Sequence, residues 1–127
     1  MQVSARSAVL LFGAQVAIGA LLRHQQIGVT PHLFVGGLAV LALLAPAAAV
    51  LQDPVASPEG RRSARWAVAA VIVQVVLGAA VLLMIAVGPP SITAWLAVTV
   101  GHVTVGTLTL LATARFAVVV TRARQLA

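Results

Sequence analysis

Polar residues in this chain gather in a few short clusters, and the stretches between them are nearly unbroken Ala, Val, Leu, Ile and Gly. Four apolar runs result: Ser7 to Leu22, Pro31 to Leu51, Ala64 to Val87 and Ile92 to Val120. A helix crossing about 30 Å of hydrocarbon needs roughly 20 apolar residues, so each run is read as a transmembrane helix. Thr30 suits the cap and Pro31 the first helical position of the second helix. Pro46 lies inside that helix and is expected to kink or loosen its last turns. The connections are Arg23 to Thr30, Gln52 to Ser63, and the breaker Gly88-Pro89-Pro90-Ser91. The first run leads into Arg23-His24-Gln25-Gln26 without a small-residue cleavage site, so it reads as a retained helix and not a signal peptide. The expectation is an all-α integral-membrane protein with one domain over residues 1–127, a bundle of four transmembrane helices.

The four runs are two copies of one pattern. Gln15-Val16-Ala17-Ile18-Gly19-Ala20 matches Gln74-Val75-Val76-Leu77-Gly78-Ala79. His32-Leu33-Phe34-Val35-Gly36 matches His102-Val103-Thr104-Val105-Gly106. A glutamine and a histidine recurring in order are harder to attribute to low complexity than Gly-Ala alone. Repeat one spans about 7–51 and repeat two about 64–121, as parallel-repeat helical hairpins about an axis along the membrane normal. The second copy has 11 more residues between its glutamine and its histidine, and these fall around the Gly88–Pro90 turn and Trp95.

Composition supports the membrane reading and narrows the chemistry. Only 8% of residues are charged and 61% are hydrophobic, against about 25% charged in a soluble domain. The net charge of +6 comes from arginines at segment ends, which leaves no basic soluble face for nucleic acid. Arg6, Arg61, Arg62, Arg65, Arg115, Arg122 and Arg124 fall on one side, at or beyond helix ends, and Arg23 alone on the other. The positive-inside rule then puts both termini in the cytoplasm and the histidines toward the outer face. The location expected is a bacterial or archaeal plasma membrane. There is no cysteine, which removes disulfides, iron–sulfur clusters and thioether-linked haem.

His102 sits about ten residues into its helix, where an ionisable group is costly and usually functional. Gly106, one turn on, would leave space for a flat ligand against the backbone, and Gly36 stands in the same relation to His32. The plain alternative for His102 is a neutral ring bonded to a carbonyl or to Thr99. His32 lies near its helix start, one or two turns shallower, which puts a shared ligand in question. Two histidines are too few for zinc, and Asp53 and Glu59 are on the wrong side for a non-haem iron triad. A porphyrin brings four nitrogens and needs two axial ligands, so a bis-histidine haem b on His32 and His102 fits the residues available. Gln15, Gly19 and Arg23 share a face, and Arg23 could neutralise haem propionates or simply reach the interface. His24 is a proton carrier, a second donor or a plain interfacial residue. Gln15 and Gln74 read as bonds across helices, Gly19 and Gly78 as close-packing positions, and Trp66 and Trp95 as anchors at opposite interfaces.

With these phrases in place, the chain resembles haem A synthase, at the level of one four-helix half. The resemblance rests on Gln15–Ala20 followed by Leu21-Leu22-Arg23-His24, and on Gln74–Ala79 followed by His102–Gly106. It implies haem ligation by His32 and His102. Three departures bear on activity. The chain is one half where the family has two. Val29 stands where the family's catalytic half has a glutamate, with Leu33 and not arginine after His32. The family's outer-loop cysteine pair is missing. The favoured function is a b-type cytochrome passing electrons within a membrane complex. The alternatives are an enzyme oxidising haem O to haem A as a homo-oligomer, and a cofactor-free scaffold subunit. The partners expected are membrane lipid and either other membrane subunits or further copies of the chain.

Overall fold

The computed structural model describes residues 5–125. It contains four helices: α1 (Ala5–Arg23), α2 (Val29–Gln52), α3 (Pro58–Val87) and α4 (Ile92–Gln125). All four are long and apolar enough to cross a membrane, and the described residues contain no strand. The chain is a multi-pass helical membrane protein by this measure. The side chain of Arg124 lies outside the described residues.

Helix ends differ from the sequence reading in instructive ways. α3 begins at Pro58, six residues before the apolar run. Ser57 caps it, its Oγ accepting from Gly60 N at 3.0 Å, and Pro58 occupies the first turn, where no N–H is needed. Half of the supposed Gln52–Ser63 connection is therefore helical. α2 begins at Val29 with Gly28 as its cap and no side-chain bond, so Thr30 is inside the helix and does not cap it. α2 continues through Pro46 to Gln52. α4 reaches Gln125, which places Arg115 well inside a helix and not at its end.

Each helix packs against its neighbours in a closed order, α1 on α2, α2 on α3, α3 on α4 and α4 on α1. α2 and α4 are thus diagonal. The packed core lies wholly in the half of the bundle that holds the two termini. It comprises Ala8, Phe12, Ala39, Leu43, Ala47, Ala64, Ala67, Val71, Phe116 and their neighbours. Lipid tails are as apolar as leucine, so burial alone does not hold helices together in a membrane. Small residues do so by letting backbones approach and side chains interlock, and alanine at eight of the buried core positions allows it. Thr109, fully buried, adds a bond between helices, its Oγ1 donating to Ala70 O at 3.3 Å as well as to Val105 O at 2.8 Å.

The α2–α3 connection at this end is also tied down. Asp53 Oδ1 accepts from Val55 N at 2.9 Å, and Arg61 donates to Ala56 O and Pro54 O at 3.2 and 2.7 Å. The opposite half contrasts with this. No residue from 13 to 38 or from 72 to 108 is buried.

Candidate functional site

The open half holds both histidines, and each is seated in the same way within its own hairpin. On α1, Gln15 and Gly19 are one turn apart, as are Gln74 and Gly78 on α3. On the returning helices, His32 and Gly36, and His102 and Gly106, have the same spacing. Antiparallel packing sets each histidine against the partner helix's glycine. A Cβ added at Gly19 would lie 3.1 Å from His32 Cε1, and one at Gly78 would lie 3.1 Å from His102 Cε1. One turn toward the core the roles reverse. A Cβ at Gly36 would lie 2.7 Å from Gln15 Nε2, and one at Gly106 would lie 3.0 Å from Gln74 Nε2. The spacing alone assigns Gly36 and Gly106 to clearing a flat ligand. In the structure the glutamine amides occupy that clearance, and it is Gly19 and Gly78 that admit the rings.

The amide and the ring then meet. Gln15 Nε2 donates to His32 Nε2 at 3.1 Å, and Gln74 Nε2 donates to His102 Nε2 at 3.4 Å. The alternative partner Thr99 is engaged elsewhere, its Oγ1 donating to Trp95 O at 2.7 Å. Four buried polar atoms are left without a partner: Gln15 Oε1, His32 Nδ1, Gln74 Oε1 and His102 Nδ1. Turning either amide over would let its oxygen accept from an Nε2–H, so the amide's sense and the ring's tautomer are linked. In both senses one nitrogen of each ring is paired and the other has no protein partner. Buried polar atoms are paired in the great majority of cases, and here the same two atoms are orphaned in each copy.

The two rings meet edge-on from the diagonal helices α2 and α4. Their centroids are 6.3 Å apart, with an interplanar angle of 73°. This removes the difference in depth that the sequence suggests. Gln15 is eight residues from the end of α1 and Gln74 thirteen from the end of α3. His32 is three residues into α2 and His102 ten into α4. The additional residues of the second copy therefore extend two helices beyond the site instead of lengthening a loop, and the histidines stay level.

Arg23 closes α1 one turn beyond Gly19 and is exposed; His24 follows it and is exposed. Neither makes a side-chain hydrogen bond or ring contact with the pair. Both carboxylates, Asp53 and Glu59, are at the other end of the bundle, in or beside the α2–α3 connection. Among the described residues no group of three or more His, Cys, Asp or Glu could hold a bare metal ion. Comparison with known protein families, with characterised proteins and with solved structures finds no match.

Proposed function

We propose that this chain is a haem b-binding membrane protein, with His32 and His102 as the axial ligands of one iron, resembling one half of haem A synthase. The observation that carries the proposal is the opposition of the two rings across the bundle at 6.3 Å. An imidazole nitrogen sits about 2 Å from a transition metal, so two rings bound on opposite sides of it have centroids roughly 6 Å apart. Each ring also has a buried nitrogen with no protein partner, and a neutral imidazole needs one such nitrogen to ligate. Ligation through Nδ1 requires the turned amide, in which Gln15 and Gln74 accept through Oε1 from the ring Nε2–H and Nδ1 keeps its lone pair; that is the sense in which metal-bound histidines commonly donate to an outer partner. A haem supplies the remaining four ligands, which this half of the protein does not.

When bound, the haem supplies one-electron redox chemistry. The chain's residues hold and surround it. Gln15 and Gln74 orient the rings, Gly19 and Gly78 set their distance from α1 and α3, and Arg23 is the cation available to the propionates. Val29 stands in place of a glutamate and the described residues of this half contain no carboxylate, so electron transfer within a membrane complex is favoured over oxidation of the haem. The matched hairpins are read as a duplication, with parallel copies. Arg6, Arg61, Arg62, Arg65, Arg115 and Arg122 at the termini end against Arg23 at the other support a reading with cytoplasmic termini and the histidines toward the outer face. The setting proposed is a bacterial or archaeal plasma membrane, with other membrane subunits or further copies as partners.

The Gln–His bonds favour a second reading, a cofactor-free pair that stiffens a scaffold subunit. Titrating haem into the detergent-purified apoprotein separates the two. The haem reading expects saturation at one haem per chain, lost in both His32→Ala and His102→Ala. Absence of saturable binding, or equal binding by both variants, would leave the scaffold.

A further inference from the structure

We propose a binding site for an anionic phospholipid in the groove between α3 and α4, on the outside of the bundle's termini half. The groove has a volume of about 460 Å³, within the range of roughly 300–1,000 Å³ that holds small molecules. Its polarity runs in one direction. Trp66 and Arg115 lie at the end nearer the termini, Ala70 and Ala112 form the middle, and Val73 and Val105 lie at the end nearer the histidines. This is the polarity of a lipid in its leaflet, with the headgroup outward and the acyl chain running toward the midplane.

Depth agrees. The facing pairs Gly78–His102 and Gln74–Gly106 set the register of α3 and α4, which puts Trp95 level with about position 85 of α3. Trp66 and Trp95 are then separated by roughly 28 Å along the bundle at 1.5 Å per residue, close to the ~30 Å of hydrocarbon. Trp66, which is 62% exposed, therefore marks the interface, and the groove descends from it into the hydrocarbon.

Charge selects the occupant. Arg115 is exposed and has no polar partner among the described residues. In the same register Arg65 lies level with it. A guanidinium at the edge of hydrocarbon with no protein anion beside it suits a phosphate, which it can bind in bidentate fashion. A second copy of the chain is a poor occupant, because it would bring its own arginines to this level and has only two acidic residues in all. The fit is to a lipid with net negative charge.

The test uses Trp66 as the reporter. Trp95→Phe leaves it the sole tryptophan, since the chain has two. The protein is placed in phosphatidylcholine vesicles and titrated with brominated phosphatidylglycerol or brominated phosphatidylcholine, and quenching gives the relative affinity at the groove. Phosphatidylglycerol is expected to be preferred, and Arg115→Gln to weaken that preference about fivefold, the equivalent of ~1 kcal/mol for one arginine at a membrane surface. Ala112→Phe, which fills the groove and keeps the charge, should weaken quenching by both lipids, while Arg122→Gln should leave the preference intact. Equal quenching by the two lipids, or an equal effect of Arg122→Gln and Arg115→Gln, would overturn the site. None of these readouts involves haem.

Discussion

The two halves of this bundle are built to opposite ends. The half with the termini is packed around alanine and two phenylalanines, with buried threonines bonded to backbone and a connection tied by Asp53, Ser57 and Arg61. The half with the histidines has no buried residue, and two of its glutamines meet its two helix-borne histidines in matched pairs. Packing is concentrated in one half, and the four unpartnered buried polar atoms lie in the other. The open half can hold a histidine pair whose hydrogen bonding is incomplete because the closed half fixes how the four helices are arranged. Local stability need not be uniform across a fold, and binding regions are drawn from its weaker parts.

Substitutions should separate the halves, and the largest effect belongs to the core. Phe116 is fully buried, and Phe116→Ala should lower unfolding free energy by about 3 kcal/mol or more, as cavities of that size do. Thermal unfolding in detergent is the measurement. A fall below 1 kcal/mol would show that the packed half does not carry the fold. Next is Gly78→Leu, which puts a branched side chain where the His102 ring lies. Overpacking of this kind costs about 1–3 kcal/mol, and the haem titration should fail with it, whereas Phe116→Ala should spare binding in the folded fraction.

Smaller effects compare the two hairpins within the open half. Gln15→Leu removes the bond to His32 and should cost about 0.6 kcal/mol, the average for a side-chain bond between membrane helices. Gly36→Ala acts on the same contact, because its Cβ would displace the Gln15 amide and not backbone. The two changes should therefore be non-additive in a double-mutant cycle. Additivity would separate Gly36 from the amide. Gly106→Ala should have the smallest effect, since its clearance is 3.0 Å against 2.7 Å at Gly36, and a larger effect than Gly36→Ala would reverse the ranking of the hairpins.

Much of this was visible in the sequence because it depends on spacing. Apolar run length predicts four spanning helices. The repeated Gln-x3-Gly and His-x3-Gly phrases predict that both copies present the same residues. Spacing within one helix does not say what faces it, however. Gly36 shares a face with His32, which suggests a cleft under the ring, but the register between α1 and α2 fills that cleft with Gln15 and sets the ring against Gly19. Depth is hidden for a related reason. His102 is far from its helix start because α3 and α4 extend past the site, and a count from the helix end cannot distinguish a longer helix from a deeper residue. Pro58 falls in a polar stretch that resembles a connection, because a polar first turn shows as helix only once Ser57 caps it.

The central claim is that His32 and His102 hold one haem between the hairpins. A dithionite-reduced minus oxidised absorption spectrum of the purified protein tests it most directly, recorded beside His32→Ala and His102→Ala. The account predicts a sharp low-spin b-type spectrum in the unaltered chain, and its loss or conversion to high spin in each variant alone. A colourless protein after purification with haem supplied, or a low-spin spectrum that survives either substitution, would contradict it.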